Sequence, residues 1–279
     1  MFWYENMIAD VKWGSERSNQ FGVPLGVKQG GINSPDFFSL YFDDLTKLLR
    51  KQSNGCHIGN MFLASIFYAD DICLLAPTRS ALQQMIQTCA NYCKTFGLSF
   101  NPKKSKIMIF SKTSIDYDLI APIYMNGLAI DCTEKIKYLG TTIVNKSGLS
   151  FSAAPELLSF YRSVNSILNV INKTDEVTQM HLLFSNCVPI LSHACAIKDF
   201  SSRELLDCNT AVNDAIRKIF SFHRWESVRD LRSYFGYKSL TDMFSIAKAK
   251  FENALLFHAN PVLSSLQRFI LASREQSEH

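Results

Sequence analysis

Residues 61–76 read MFLASIFYADDICLLA, two short apolar runs flanking Tyr68-Ala69-Asp70-Asp71. Apolar runs this short, meeting at a polar break, predict a hairpin of two buried strands joined by a tight acidic turn. Adjacent carboxylates in apolar surroundings repel each other and lose hydration unless a cation or hydrogen bonds compensate them. A magnesium site is one solution, because Mg²⁺ takes oxygen ligands and commonly bridges carboxylates to phosphates. A solvent-facing turn is the other, and the dipeptide alone leaves both open.

Upstream, SNQFGVPLGVKQGGINSP at 18–35 holds the glycines and prolines of an irregular segment before a helix. Ser34 is placed to cap that helix, Pro35 suits its first position and Asp36 its positive end. Phe38, Tyr41 or Phe42, Leu45 and Leu48 then recur at helical spacing as far as Arg50. The glycines of GVKQGG permit close backbone approach to an anion at the helix start, but they match neither a GxxxxGK[ST] loop nor a dinucleotide fingerprint, so on composition a plain turn before the helix is the favoured reading.

Downstream, Leu82, Ile86, Cys89, Cys93 and Phe96 form one helical stripe from Arg79 to Phe96, with Gly97 at its C-terminal stop. LSFNPKKSKIMIF at 98–110 reads as strand, lysine-rich bend and strand. Lys94, Lys103, Lys104, Lys106 and Lys112 lie in a span without Asp or Glu, which fits phosphate contact or a solvated bend. Asn126-Gly127 signals a hairpin, and IKYLGTTI at 136–143 a last strand. Beyond about residue 150 the pattern turns helical, over 153–172, 175–188, 201–221 and 239–257, with Ser201 and Glu204 forming a capping box.

The 279 residues, 47% hydrophobic and 19% charged, suffice for about two domains and exclude a disordered or low-complexity polymer. No apolar run approaches the roughly 20 residues of a spanning helix, so no membrane partner is expected. The net charge of +4 is compatible with an anionic partner without naming one. The eight cysteines form no CxxC and no zinc pairing with the six histidines, and Cys89 and Cys93 read as small core residues one turn apart. The N-terminal MFWYENMIADVKW has no secretory pattern, and an intracellular, reducing setting is expected.

In order and content, GVKQGGINSP, FYADD, GLSFNPKKSKIMIF and KYLG resemble successive palm motifs of reverse transcriptases, most closely those of non-LTR, LINE-like retrotransposons. The detailed resemblance covers roughly residues 20 to 145. It implies an α+β fold, with a partial polymerase palm of antiparallel sheet and helices over 1–148 and a mainly helical, thumb-like region over 149–279. It implies RNA-directed transfer of deoxynucleotides to a primer's 3′ hydroxyl, with Mg²⁺, or alternatively Mn²⁺, stabilising in-line displacement of pyrophosphate. The expected partners are therefore an RNA template, a DNA primer and deoxynucleoside triphosphates.

Carried over by position, Asp70 resembles the main metal-binding aspartate and Asp71 its acidic neighbour, while Tyr68 and Ala69 resemble the residues shaping the turn beside the primer end. Gln29, Gly30, Ser34 and Pro35 match the segment against template and incoming nucleotide. Lys104 resembles the lysine on the pyrophosphate side, and Tyr138, Leu139 and Gly140 the primer grip. The family's first catalytic aspartate lies upstream of the glycine-rich segment, together with basic fingers. Only 25 residues precede Gly26 here, and Asp10 is the sole aspartate among them. The isolated chain is therefore expected to have little polymerase activity, and the alternative reading is an inactive relic that still binds nucleic acid.

Overall fold

Pro35, which needs no hydrogen-bonded N–H, and Asp36, which favours the positive end, open helix α1 (Ser34–Gln52). A computed structural model describes residues 6–23, 26–28, 30–111, 116, 120–145, 148–170 and 174–277. Gln29 and Lys112 lie outside them, as do residues 171 and 172 at the expected end of the 153–172 helix. Ser34 is not the cap. Asn33 holds that position without a side-chain bond, and Ser34 is the buried first helical residue. The core stripe is Phe42, Leu45 and Leu49, one residue off the expected Leu48, which is exposed. Ser53, in the left-handed region, ends the helix with its N–H on the Arg50 carbonyl.

The chain forms two units, the described residues of Met1–Ser105 with Ala121–Ile130, and those of Lys106–Ile120 with Asp131–His279. The first begins with the two-residue strands β1 (Ile8–Ala9), β2 (Lys12–Trp13), β3 (Glu16–Arg17) and β4 (Phe21–Gly22), pairing β1 with β4 and β2 with β3. After α1 come two antiparallel hairpins, β5 (Cys56–Ile58) with β6 (Met61–Leu63), and β7 (Ser65–Tyr68) with β8 (Asp71–Leu74). Helix α2 (Arg79–Thr95) is capped by Thr78, whose hydroxyl accepts from the Ala81 N–H.

Leu45, Leu49 and Met85 are fully buried, with Phe42, Ala64, Cys89 and Cys93 beside them, so α1, α2 and the hairpins share one core. Each of the two buried leucines contributes roughly 1.5–3 kcal/mol. Phe67 and Ile72 of the acidic hairpin pack against this core. Cys89 and Cys93 are core residues, as their spacing predicts, whereas Phe96 is exposed and Met85 takes the buried place.

The α2 side chains also hold the return of the chain. Arg79 donates to the carbonyls of Ala121 (2.8 Å) and Pro122, and Gln83, one turn later, donates to the Tyr124 carbonyl while accepting the Tyr124 N–H, both at 2.8 Å. Tyr124 is the middle of β10 (Ile123–Met125), which turns through Asn126 (φ +51°) and Gly127 (φ +80°) into β11 (Leu128–Cys132). That is the predicted two-residue hairpin, with both central residues in the left-handed region.

In the second unit β9 (Lys106–Ile107) runs parallel to Asp131–Cys132, and β12 (Lys135–Tyr138), β13 (Thr141–Asn145) and β14 (Leu149–Phe151) form an antiparallel meander. The remainder is helical, α3 (Ala154–Val170), α4 (Glu176–Leu182), α5 (Val188–Ser192), α6 (Ser202–Ile219), α7 (Arg229–Tyr234), α8 (Leu240–Leu256) and α9 (Pro261–Ser277). A π turn, Leu183–Cys187, joins α4 to α5, with the Val188 N–H on the Leu183 carbonyl. Pro189 follows at once, in the first turn of α5, where a missing N–H is tolerated. The capping box of Ser201 and Glu204 is present in full. Phe160, Met180, Leu191, Ile216 and Leu240 are the largest buried side chains of this core. The outcome is an α+β chain of small, mostly antiparallel sheets followed by a mainly helical region.

Candidate functional site

Tyr68 pairs directly with Asp71 across the β7–β8 hairpin, so Ala69 and Asp70 are its two turn residues. Ala69 has φ +50°, a left-handed conformation that costs a non-glycine residue about 1 kcal/mol and that primed hairpin turns require. The turn is therefore tight, as the sequence predicts. Its environment is not the expected one. Tyr68, Ala69, Asp70 and Asp71 are all exposed, and the flanking strands are half-buried rather than buried. Water reaches both carboxylates, so the desolvation argument for a compensating cation does not apply to this turn.

Neither Asp70 nor Asp71 makes a side-chain hydrogen bond or ion pair among the described residues. No group of three or more His, Cys, Asp or Glu side chains suited to a metal ion occurs among them either. Two adjacent carboxylates nevertheless suit part of a magnesium shell, which typically takes one or two protein carboxylates and completes itself with water and phosphate oxygens. Asp10 is committed elsewhere, to an ion pair with Arg17 at 2.8 Å.

The glycine-rich segment folds around one carbonyl. The Lys28 oxygen accepts both the Gly31 N–H (3.1 Å) and the Ser34 hydroxyl (2.7 Å), and the Ser34 N–H reaches the Gly31 carbonyl at 3.2 Å. Ser34 thus ties the loop to the first turn of α1. Gly30 has φ +77°, and Pro35 is exposed on that turn.

The lysine-rich bend lacks the first expected strand. Asn101 organises it, its side-chain oxygen accepting the N–H groups of Lys103 (3.0 Å) and Lys104 (3.4 Å). Both lysines are exposed, with no ion-pair partner among the described residues, whereas Lys106 pairs with Asp131 at 2.6 Å. No hydrogen bond or ion pair links Lys104 to Asp70 or Asp71.

Tyr138, Leu139 and Gly140 sit in the second unit, where the predicted single strand is interrupted. Leu139 (φ +46°) and Gly140 (φ +78°) make the two-residue turn between β12 and β13. His193 braces it, its Nε2 lying 3.1 Å from the Leu139 carbonyl, so that nitrogen is the protonated donor. A Cβ at position 140 would lie 2.8 Å from the same nitrogen, so glycine is required by conformation and by space. The histidine is 54 residues from the leucine it holds, and no local pattern in the sequence marks it.

Among the described residues no helix is long and apolar enough to cross a membrane. In comparison with known proteins, the family described as reverse transcriptase (RNA-dependent DNA polymerase) matches residues 1–143. The chain is 24% identical over 207 residues to the retrovirus-related Pol polyprotein from the type-1 retrotransposable element R2 of Popillia japonica, covering 72% of this chain and 28% of that protein. It is 30% identical over 136 residues to the probable RNA-directed DNA polymerase from transposon BS of Drosophila melanogaster, covering 45% and 14%. A third relative, the Pol polyprotein from the type-2 retrotransposable element R2DM of Drosophila melanogaster, is 35% identical over 92 residues, covering 33% and 8%. The chain spans less than a third of each of these relatives. With the family match running over just over half its length, and motif order and relatives both pointing to the retrotransposon branch, the chain belongs to the reverse transcriptase (RNA-dependent DNA polymerase) family.

Proposed function

We propose that this chain supplies palm (1–148) and thumb-like (149–279) portions of a retroelement reverse transcriptase, binds an RNA template and DNA primer, and by itself turns over no deoxynucleoside triphosphate. The observation that supports the second half is the acidic hairpin, which presents two exposed carboxylates with no third acidic, histidine or cysteine ligand grouped with them among the described residues, so a pair of ions there lacks a further ligand to share.

In this reading Asp70 and Asp71 are the residues that hold Mg²⁺ or Mn²⁺. When bound, the ion neutralises phosphate charge and activates the primer hydroxyl. Tyr68 and Ala69 set the position of the turn, and the Lys28-centred loop with Gln29, Gly30, Ser34 and Pro35 faces template and nucleotide. Lys104 offers charge to pyrophosphate, and the Tyr138-Leu139-Gly140 turn is the primer grip. The exposed Lys94, Lys103 and Lys104 support binding of a phosphate backbone.

Primer extension with Mg²⁺ or Mn²⁺, run beside an Asp70→Ala control, tests the proposal together with filter binding of a primer–template at two salt concentrations. The expected result is salt-dependent binding without extension. Robust Asp70-dependent synthesis overturns the inactive reading in favour of a working polymerase, and absence of any primer–template affinity overturns the binding half.

A further inference from the structure

The second unit carries a feature that the palm motifs do not account for. Two open clefts adjoin at Tyr237, one against α4 and the other between α7 and the start of α8. One, about 400 Å³, has an apolar wall of Val177, Leu182 and Phe235 with His181 at its rim. The other, about 310 Å³, is lined by Arg229, Arg232 and Lys238 with one acid, Asp242.

Tyr237 is held in place between them. Its ring stacks on Phe184 at 3.8 Å and 7°, and its hydroxyl lies 3.1 Å from His181 Nδ1. Arg232 is steadied by Asn213 at 3.3 Å, a neutral partner that leaves its charge uncompensated. Arg229 and Lys238 are exposed and make no ion pair among the described residues. Asp242 accepts a hydrogen bond from the Ser239 hydroxyl at 2.6 Å, so its charge is partly committed to the helix cap. The lining thus carries three cations against one anion.

On the same segment Tyr234 is 85% exposed and Trp225, stacked on His223 at 4.6 Å and 6°, is 81% exposed. A cationic cleft beside an apolar one with hydrogen-bonding groups at its rim matches a phosphate joined to a flat base. Exposed rings on the same segment are of the kind on which unpaired bases stack. A duplex keeps its bases paired and presents only phosphates, which would leave the apolar cleft without an occupant.

We propose that residues 222–242, with His181 and Leu182, form a binding site for unpaired single-stranded nucleic acid, one phosphate lying among Arg229, Arg232 and Lys238 and its base against Phe235 and Tyr237. This goes beyond the hairpin reading and rests on second-unit residues alone.

The test is fluorescence anisotropy of the full chain with a labelled oligouridine, a blunt duplex and an acidic peptide, comparing wild type with Arg229→Gln/Lys238→Gln. Both side chains are exposed, and the circular dichroism melt of the double variant is expected to superimpose on that of wild type. Losing neutralisation of that one phosphate lowers the salt slope by about 0.7, which weakens oligouridine binding about threefold at about 200 mM salt and about eightfold at about 50 mM. Arg229→Glu alone is expected to weaken it more than Arg229→Gln. The proposal is overturned if wild type and the double variant bind oligouridine equally. It is also overturned if duplex affinity falls by the same factor, or if the acidic peptide binds as well as the oligonucleotide. Failure of the hairpin reading appears separately, as loss of primer–template binding or as Asp70-dependent extension.

Discussion

Lys198 and Glu156 form an ion pair at 2.6 Å inside the helical unit, with Lys198 4% and Glu156 8% exposed. Glu156 sits in the first turn of α3, where the helix dipole favours a negative charge, but its second carboxylate oxygen is buried without a hydrogen-bond partner among the described residues. The pair is therefore desolvated and only half satisfied. Lys198→Met keeps most of the side-chain volume and strands the carboxylate, which costs about 3–5 kcal/mol. For a unit of this size each kcal/mol moves the midpoint by about 2–4 °C, so Tm falls by about 10 °C. Replacing both partners, Glu156→Leu with Lys198→Met, removes the stranded charge and returns stability to the wild-type level or up to a few kcal/mol above it. Thermal unfolding followed by far-ultraviolet circular dichroism on wild type, both single variants and the double variant measures the coupling as a double-mutant cycle. A Lys198→Met protein within about 1 kcal/mol of wild type, or a double variant no more stable than Lys198→Met, would refute the reasoning.

Gly140→Ala is expected to cost about 2 kcal/mol, about 1 for the positive φ and the rest for displacing His193 from the Leu139 carbonyl. In urea unfolding, combining it with His193→Ala should cost less than the sum of the two, and strict additivity would remove His193 from the turn. Burial pushes the Cys89 thiol up to about 12, with the neighbouring Cys93 adding to the shift. Burial likewise pushes Cys208 up to about 11, helped by Glu204 and Asp207. The folded state thus keeps protons that the unfolded chain releases above the ordinary thiol pKa, so these groups leave stability constant below about pH 9 and erode it from there towards pH 12. Urea midpoints across that range check the sign, and Cys89→Ala should flatten the decline.

What the sequence made legible was local chemistry. The β7–β8 hairpin, the Asn126-Gly127 turn, the α1 start at Pro35 and the Ser201–Glu204 box each follow from neighbouring residues with one dominant conformational preference. Leu139-Gly140 was hidden inside a strand pattern because leucine has no left-handed preference. What braces that conformation is His193, a distant residue. The exposure of Asp70 and Asp71 was equally invisible, since an apolar run does not say which strand face is covered or how far the turn projects. Helices α7 and α9 lie outside the four helical segments expected beyond residue 150, and the Lys198–Glu156 pair joins residues whose separation carries no local signal.

Gln83 gives its amide to Tyr124 as a neighbouring strand would give a peptide group, filling both backbone positions on the outer side of β10. A strand with an unpaired flank is a template for another chain, and proteins commonly block that flank with charge, proline or a bulge. Here a helical side chain occupies it instead. The same two bonds that hold the hairpin to α2 therefore also oppose edge-to-edge self-association, and the loss of one glutamine would open a docking edge as well as loosen a contact.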